Sequence, residues 1–476
     1  MTLQLFNKTT YIDMRLLTLP LLLALFTLSS HAQTARDAIQ GNHFLSASNY
    51  LDYDNYPATK ALTPAPAGYE PYLMNHYGRH GARWLINESS YLRPLQTLRK
   101  GDSLGILTPQ GREVLRQVEA VYASSRQRLG ELTTVGERQH HGIGRRMAEH
   151  FPELFKTPGL PVDARSTVVI RCILSMEAEC EELAAANPSI RWHNDVSESL
   201  QYYLNQPSTP YLKHVRSKTR DARRTFSRQE LGALDSQRFV GQLFSNAQLA
   251  TDSLGAGELM NQLFDVVSNM QSHELGLDLY PYYTNDELYH LWRIRNAGWY
   301  LDYGAAPQGG GDQPFSQLNL LKDMLLVADT TSHPAAVLRF GHEVCVMPLA
   351  CLLELGSCGA VVNDLDQLDA VWRNYDIFPM ACNVQLVFYR KKPGAAAAPP
   401  VVKGRRAMEK GATATDQPST DADDGILVKA LLNEREVSLP VATTRYPYYR
   451  WSDLRDYYQN KIRRYEQRVK AWEEEK

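Results

Sequence analysis

Residues 71–83, PYLMNHYGRHGAR, constrain this chain more than any other stretch. They begin as an apolar and aromatic run and break into Tyr77-Gly78-Arg79-His80-Gly81-Ala82-Arg83. Such a run reads as a strand, and the two glycines let the backbone turn tightly after it. A strand ending this way presents its last side chains at the carboxyl edge of a sheet, where open α/β folds bind ligands. Two arginines bracket one histidine there. A guanidinium offers a planar fork of donors that matches phosphate oxygens, and a neutral imidazole can attack phosphorus. These residue types predict phosphoryl chemistry at a strand end.

The same geometry recurs twice. Residues 167–170 form a β-branched run that reads as a strand, and Arg171 falls where it gives way to a helix. Residues 335–340, AAVLRF, read as a buried strand. Gly341-His342-Glu343 follows, then an apolar stretch in which Pro348 suits the first turn of a helix. Further strands are expected at 189–193, 383–390 and 426–432. Helices are expected at 91–100, at 109–129 and at 132–154, the last capped by Thr134. Leu454, Tyr458, Ile462, Tyr465, Val469 and Trp472 recur at helical spacing near the end, with Ser452 as the expected N-cap. The fold class expected is α/β, a mostly parallel central sheet flanked by helices, with an inserted helical cap.

Four segments follow. Residues 1–32 read as a secretory signal peptide: Met14-Arg15, an apolar run to Leu28, then the small-x-small site Ser30-His31-Ala32. No cysteine follows that run, which argues against a lipid anchor, and later apolar runs are too short to span a bilayer. Export to the periplasm or beyond is therefore expected. Residues 33–194 read as the first part of the core, 195–329 as a polar, mostly helical insertion, and 330–476 as the second part of the core. Within the last, 391–425 is rich in Ala, Pro, Gly, Asp and Thr without a period and reads as a disordered loop.

With 476 residues, 43% of them hydrophobic, the chain can bury a large core. A net charge of -2 gives no global attraction to nucleic acid, so an anion site must be local. The insertion holds such a candidate in Lys213, Arg216, Lys218, Arg220, Arg223 and Arg224, which suits a polyanion or else a solvated helix face. The six cysteines fit no zinc spacing and read as buried thiols, allowing one bridge. His140 and His141 are adjacent on a helix and point about 100° apart, which suits structural roles better than a metal pair. No metal and no cofactor is read from the pattern.

The three strand ends together carry His80 as nucleophile, Arg79, Arg83, Arg171 and His342 as phosphate ligands, and Glu343 as proton donor. That set suits hydrolysis of a small-molecule phosphomonoester. His80 would attack in line as a neutral ring, its other nitrogen donating to a backbone carbonyl. Glu343 would protonate the leaving alkoxide and then take a proton from water.

Arg79-His80-Gly81-Ala82-Arg83 resembles the R-H-G-x-R signature of the histidine phosphatase superfamily. Arg165-Ser166-Thr167 with Arg171 and Ser175 is similar to the second arginine segment of its acid phosphatase and phytase branch, and residues 132–154 resemble the helix between the two. Gly341-His342-Glu343 resembles the branch's G-H-D element. The resemblance spans most of 65–390. It implies an α/β core with a helical cap, a phosphohistidine intermediate and no metal. Acid phosphatases usually carry Asp after this His, and the multiple inositol polyphosphate phosphatases a Glu with one residue between. Here Glu343 follows His342 directly. The basic cluster tilts the expectation toward inositol polyphosphates such as phytate. The alternatives are a general acid or sugar phosphatase, a phosphoglycerate mutase, which an export signal disfavours, and a non-catalytic phosphate-ligand-binding protein, which would need neither His80 nor Glu343.

Overall fold

The computed structural model describes residues 33–55, 61–392 and 425–476. The expected signal peptide and nearly all of the expected 391–425 loop lie outside the described residues.

The opening stretch forms β1, Tyr69–Arg79, buried along almost its whole length. It lies between β4 (Ala335–Gly341), parallel to it, and β5 (Asn383–Lys391), antiparallel. Proline has no N–H to give a ladder, and the register between β1 and β5 shifts between Pro71 and Leu73. With β2 (Pro161–Ser166), β3 (Arg191–Asp195), β6 (Leu427–Leu432) and β7 (Arg435–Val437), the sheet runs β3-β2-β4-β1-β5-β6-β7. The short β8 (Tyr449–Arg450) also pairs with β6. The sheet is mixed: β1, β2, β3, β4 and β6 run one way, and β5, β7 and β8 the other.

The strand expected at 167–170 is Pro161–Ser166 instead. Its register with β4 (Val162↔Ala336 to Ser166↔Phe340) buries Val162 and Ala164, while Val168 and Ile170 are exposed. The β-branched run lost to pairing because such propensity reports fit to a half-buried surface rather than a backbone preference.

Both faces of the sheet are covered. On one face lie α3 (Thr134–His150) and α4 (Ile170–Ala186), where Ile143, Met147, Met176 and Leu183 pack on Met74, Val162 and Leu338. They approach so closely that a Cβ on Gly144 would stand 2.5 Å from the Glu179 carbonyl oxygen. On the other face lie α10 (Leu318–Thr330), α11 (Glu343–Leu352) and α12 (Trp451–Glu474). Fully burying a side chain such as Leu320, Leu321 or Phe388 contributes roughly 1.5–3 kcal/mol each. A third cluster joins α1 (Glu88–Ser103) and α2 (Pro109–Ser125) to α7 (Ser236–Leu243), α8 (Leu259–Asn269) and the first half of α9 (Asn285–Tyr303). Helices from before β2 therefore share a core with helices of the 195–329 block. The intervening α5 (Pro210–Ser217) and α6 (Arg220–Gly232) carry the basic cluster.

Several local expectations shift. The cap of α3 is Thr133, whose side chain accepts from the Gly136 N–H. Pro348 lies inside α11, not in its first turn, and that helix begins at Glu343 with His342 as N-cap. The final helix begins at Trp451 after an Arg450 N-cap, two residues ahead of the expected cap Ser452, and buries Leu454, Tyr458, Ile462 and Tyr465 as its spacing predicts. All six cysteines are free and buried. Among the described residues no helix is long and apolar enough to cross a membrane.

Candidate active site

Strand order decides which chain segments meet. Because β4 lies between β1 and β2, Arg79 pairs with Gly341, and Ser166 with Phe340, at one sheet edge. The segments following these three strands converge there.

The 79–83 turn is held from outside itself. The Gly81 N–H donates to Ser175 Oγ (3.0 Å) and the Ala82 N–H to Gln139 Oε1 (2.9 Å). Thr133 Oγ1 donates to the Ala82 carbonyl (3.1 Å). The His80 N–H donates to the Gly341 carbonyl (2.9 Å), tying the turn to the start of the His342-Glu343 segment. Gly81 is required by close approach: a Cβ there would lie 2.3 Å from the Gly136 carbonyl oxygen.

His80 is fully buried. Its Nδ1 is 2.8 Å from the Gly81 carbonyl oxygen, an acceptor, so Nδ1 carries the proton and Nε2 keeps its lone pair. Burial, aided by Arg79 and Arg171, drives its pKa well below the ordinary 6.5 although Glu343 pulls the other way. The ring is neutral, as a nucleophile needs. Its Nε2 is 3.6 Å from Glu343 Oε2, and the His342 ring stands edge-on at 5.7 Å between centroids.

Arg79 is anchored through one nitrogen. Nη1 donates to the carbonyls of Asn49 (2.6 Å), Pro379 (3.0 Å) and Phe378 (3.3 Å). Its Nε and Nη2 are buried and make no hydrogen bond. The Nε atoms of Arg83 and Arg171 are likewise buried and unbonded, as is His80 Nε2. Arg83 lies over the Tyr50 ring at 5.4 Å and donates through Nη1 to the Trp84 carbonyl (3.0 Å). Arg171 is the second residue of α4 and donates to the Gly130 carbonyl (3.3 Å). Buried donors without acceptors are costly, and several converging on one spot make a site for an anion rich in acceptors.

His342 lies 3.4 Å from Thr167 Oγ1 and beside the Cys172 thiol. Burial pushes its pKa down to about 4, with Arg171, Arg79 and Arg83 acting in the same sense. Glu343 is 3.2 Å from Arg79 Nε and 3.8 Å from Arg83 Nη2. Burial alone would raise its carboxyl, but the charges of Arg79 and Arg83 outweigh it and hold it well below the usual range. His80, His342 and Glu343 each offer a ligand atom within 4.8 Å of the others, a spacing a metal ion could use. The arginine field that depresses His342 opposes a cation there and favours an anion.

The structure thus brings together Arg79, His80, Arg83, Arg171, His342 and Glu343. It does not gather the basic cluster with them. Lys213, Lys218 and Arg220 are exposed on or beside α5 and α6. Arg223 pairs with Asp302 (2.8 Å) and Arg224 with Asp221 (2.9 Å). Arg216 is stacked 4.7 Å over the Tyr303 ring. Arg165 is occupied by Asp163 and Tyr203. Sequence reasoning missed Gln139, Thr133 and Asn49, because nothing local marks a residue whose task is to hold a distant turn.

No family model and no curated protein sequence matches the chain. Solved structures do. The multiple inositol polyphosphate phosphatase of Bifidobacterium longum, in complex with inositol hexasulfate, matches with a TM-score of 0.66 at 17% identity, over 86% of this chain and 96% of that one. This chain shares the fold of that phosphatase. The phytase from D. castellii matches with a TM-score of 0.58 at 12% identity, over 88% and 85% of the two chains. At such identities the likeness fixes the fold, and the chemistry rests on the geometry above.

Proposed function

We propose that the chain is an exported histidine-type phosphatase that hydrolyses phosphomonoesters, inositol polyphosphates foremost, through a phosphohistidine at His80. The observation that carries this reading is the His80 ring: Nδ1 tied to Gly81 and Nε2 free among unbonded guanidinium nitrogens.

In the first step Nε2 attacks phosphorus, the N–P bond forms and the ester O–P bond breaks. Arg79, Arg83, Arg171 and His342 hold the phosphoryl oxygens as charge spreads over them. Glu343 gives its proton to the departing alkoxide. A carboxyl held low by arginines is a poor proton carrier until a phosphoryl dianion enters the same field and offsets those charges. Substrate binding therefore arms the acid. In the second step Glu343 takes a proton from water, the water oxygen attacks phosphorus, and the N–P bond breaks.

Inositol polyphosphate as substrate is supported by what the structural relatives are named for and by the basic residues on and beside α5 and α6, among which Arg216, stacked on Tyr303, is the candidate to meet a second phosphate. Lys213, Lys218 and Arg220 would contribute a diffuse field from the rim. Export rests on the sequence of residues 1–32.

The test is phosphate release from phytate and from p-nitrophenyl phosphate in EDTA, by the parent chain, His80→Ala and Arg216→Ala. The expected result is metal-independent release from both substrates and a loss on the order of a thousandfold or more in His80→Ala. Arg216→Ala should raise KM for phytate far more than for the aryl ester. Substantial turnover by His80→Ala would remove the mechanism. Activity on the aryl ester alone would select a general phosphatase.

A further inference from the structure

Behind the 79–83 turn lie three fully buried titratable side chains that the mechanism above does not use: His76 on β1, His140 on α3 and Glu179 on α4. His140 Nδ1 is 3.0 Å from Glu179 Oε2. Its other nitrogen, Nε2, is 3.1 Å from the carbonyl oxygen of Arg79. A carbonyl oxygen only accepts, and so does an ionised carboxylate, whereas a neutral imidazole has one N–H to give. Both contacts are satisfied together in two ways: both ring nitrogens carry a proton and Glu179 is ionised, or Nε2 alone carries one and a protonated Glu179 donates to Nδ1.

The surroundings agree. His76 Nε2 is 3.9 Å from Glu179 Oε1, beyond hydrogen-bond reach, and neither of its ring nitrogens has a partner. Burial pushes the His76 pKa to about 4, so it does not supply the countercharge. From β4, Arg339 is committed to Asp323 (2.6 Å) and Asn75 (2.7 Å), and Phe340 contributes only its ring, 6.0 Å from that of His140. Cys180, next to Glu179 on α4, is a buried thiol whose pKa burial raises.

We propose that His140, as an imidazolium ion-paired with Glu179, is a positioning residue for the nucleophile. It fixes the Arg79 carbonyl, and the N–H at the far end of that same peptide unit, that of His80, is fixed on Gly341. With both ends of the peptide held, and Gly81 held on Ser175, the direction of the His80 Nε2 lone pair is set before substrate arrives. A nucleophile that must meet phosphorus in line loses rate steeply when it is misaimed. The inference rests on the reading of His80 as nucleophile.

Glu179→Gln keeps the shape and an acceptor oxygen for Nδ1 and removes only the charge. In the full-length chain labelled with 15N-histidine, the parent His140 should show two protonated ring nitrogens at neutral pH, and the variant a neutral ring. With p-nitrophenyl phosphate, the variant should lose roughly ten- to a hundredfold in kcat with KM nearly unchanged, and form phosphohistidine more slowly. A neutral His140 in the parent would overturn the proposal, and that reading needs no variant to fold. A folded Glu179→Gln with parental kcat and only a lower melting point would also overturn it, leaving a structural pair. Failure of the parent to form phosphohistidine at His80 would instead overturn the reading on which the proposal stands.

Discussion

Glu343 answers two opposed demands with one carboxyl. In the proposed mechanism it is ionised to receive a proton from water and protonated to release an alkoxide, and its neighbours Arg79 and Arg83 favour the first. Placing it directly after the N-cap His342, at the first position of α11, puts the carboxyl 3.6 Å from His80 Nε2. Removing its proton should matter in proportion to the basicity of the leaving group. Glu343→Gln is expected to lower kcat on phytate by about 10²–10⁴ and on p-nitrophenyl phosphate by less than about tenfold, since nitrophenolate leaves with little protonation. Parallel rate measurements on the two esters check this. Equal losses would take the proton-donor role from Glu343.

At the level of elements, the site is a turn pinned between two helices. α3 supplies Gln139 and His140 to the turn, Thr133 at its cap adds a third bond, and α4 supplies Ser175. That pinning needs bare backbone at the crossing. A Cβ on Gly136 would lie 2.3 Å from the Ala82 carbonyl oxygen and 2.6 Å from the Ala82 nitrogen, and neither is the end of a flexible side chain. Gly136→Ala should therefore cost roughly 1–3 kcal/mol of stability. It should also cost on the order of tenfold or more in kcat, because the turn that moves carries His80. Urea unfolding and initial rates report the two effects. A variant with parental midpoint and kcat would mean that the turn is not held as described.

The whole molecule buries several histidines as neutral rings. Burial brings His76, His273 and His342 to about 4. Between the ordinary value of 6.5 and about 4, the unfolded chain binds protons that the folded chain refuses. The stability these groups contribute is complete above about 6.5 and lost as pH falls toward 4, up to about 3 kcal/mol for each. Asp376 acts in the opposite sense: burial pushes it up to about 6, so its contribution is complete below its ordinary value and lost as pH rises through 6. Three histidines outweigh one aspartate. The melting temperature should be several degrees lower at pH 4.5 than at pH 7, by calorimetry on the full chain. An equal or higher value at pH 4.5 would contradict the neutral burial of these rings.

Local pattern alone determined the chemistry-bearing segments. A glycine turn after an apolar strand, at Arg79–Arg83 and again at Gly341-His342-Glu343, is legible because periodicity and turn residues act over a few positions. The final helix is legible for the same reason, through Leu454, Tyr458, Ile462 and Tyr465. The tertiary structure decided what depends on distant partners. It placed β4 between β1 and β2, so that Arg79 and Gly341 are neighbours. It chose residues 161–166 over the β-branched 167–170 as the strand. It stacked Arg216 on Tyr303 and paired Arg223 with Asp302. It also set the proton on Nδ1 of His80 and the charge state of Glu343. Pairing, burial and field are sums over residues far apart in the chain, and no window of sequence contains them.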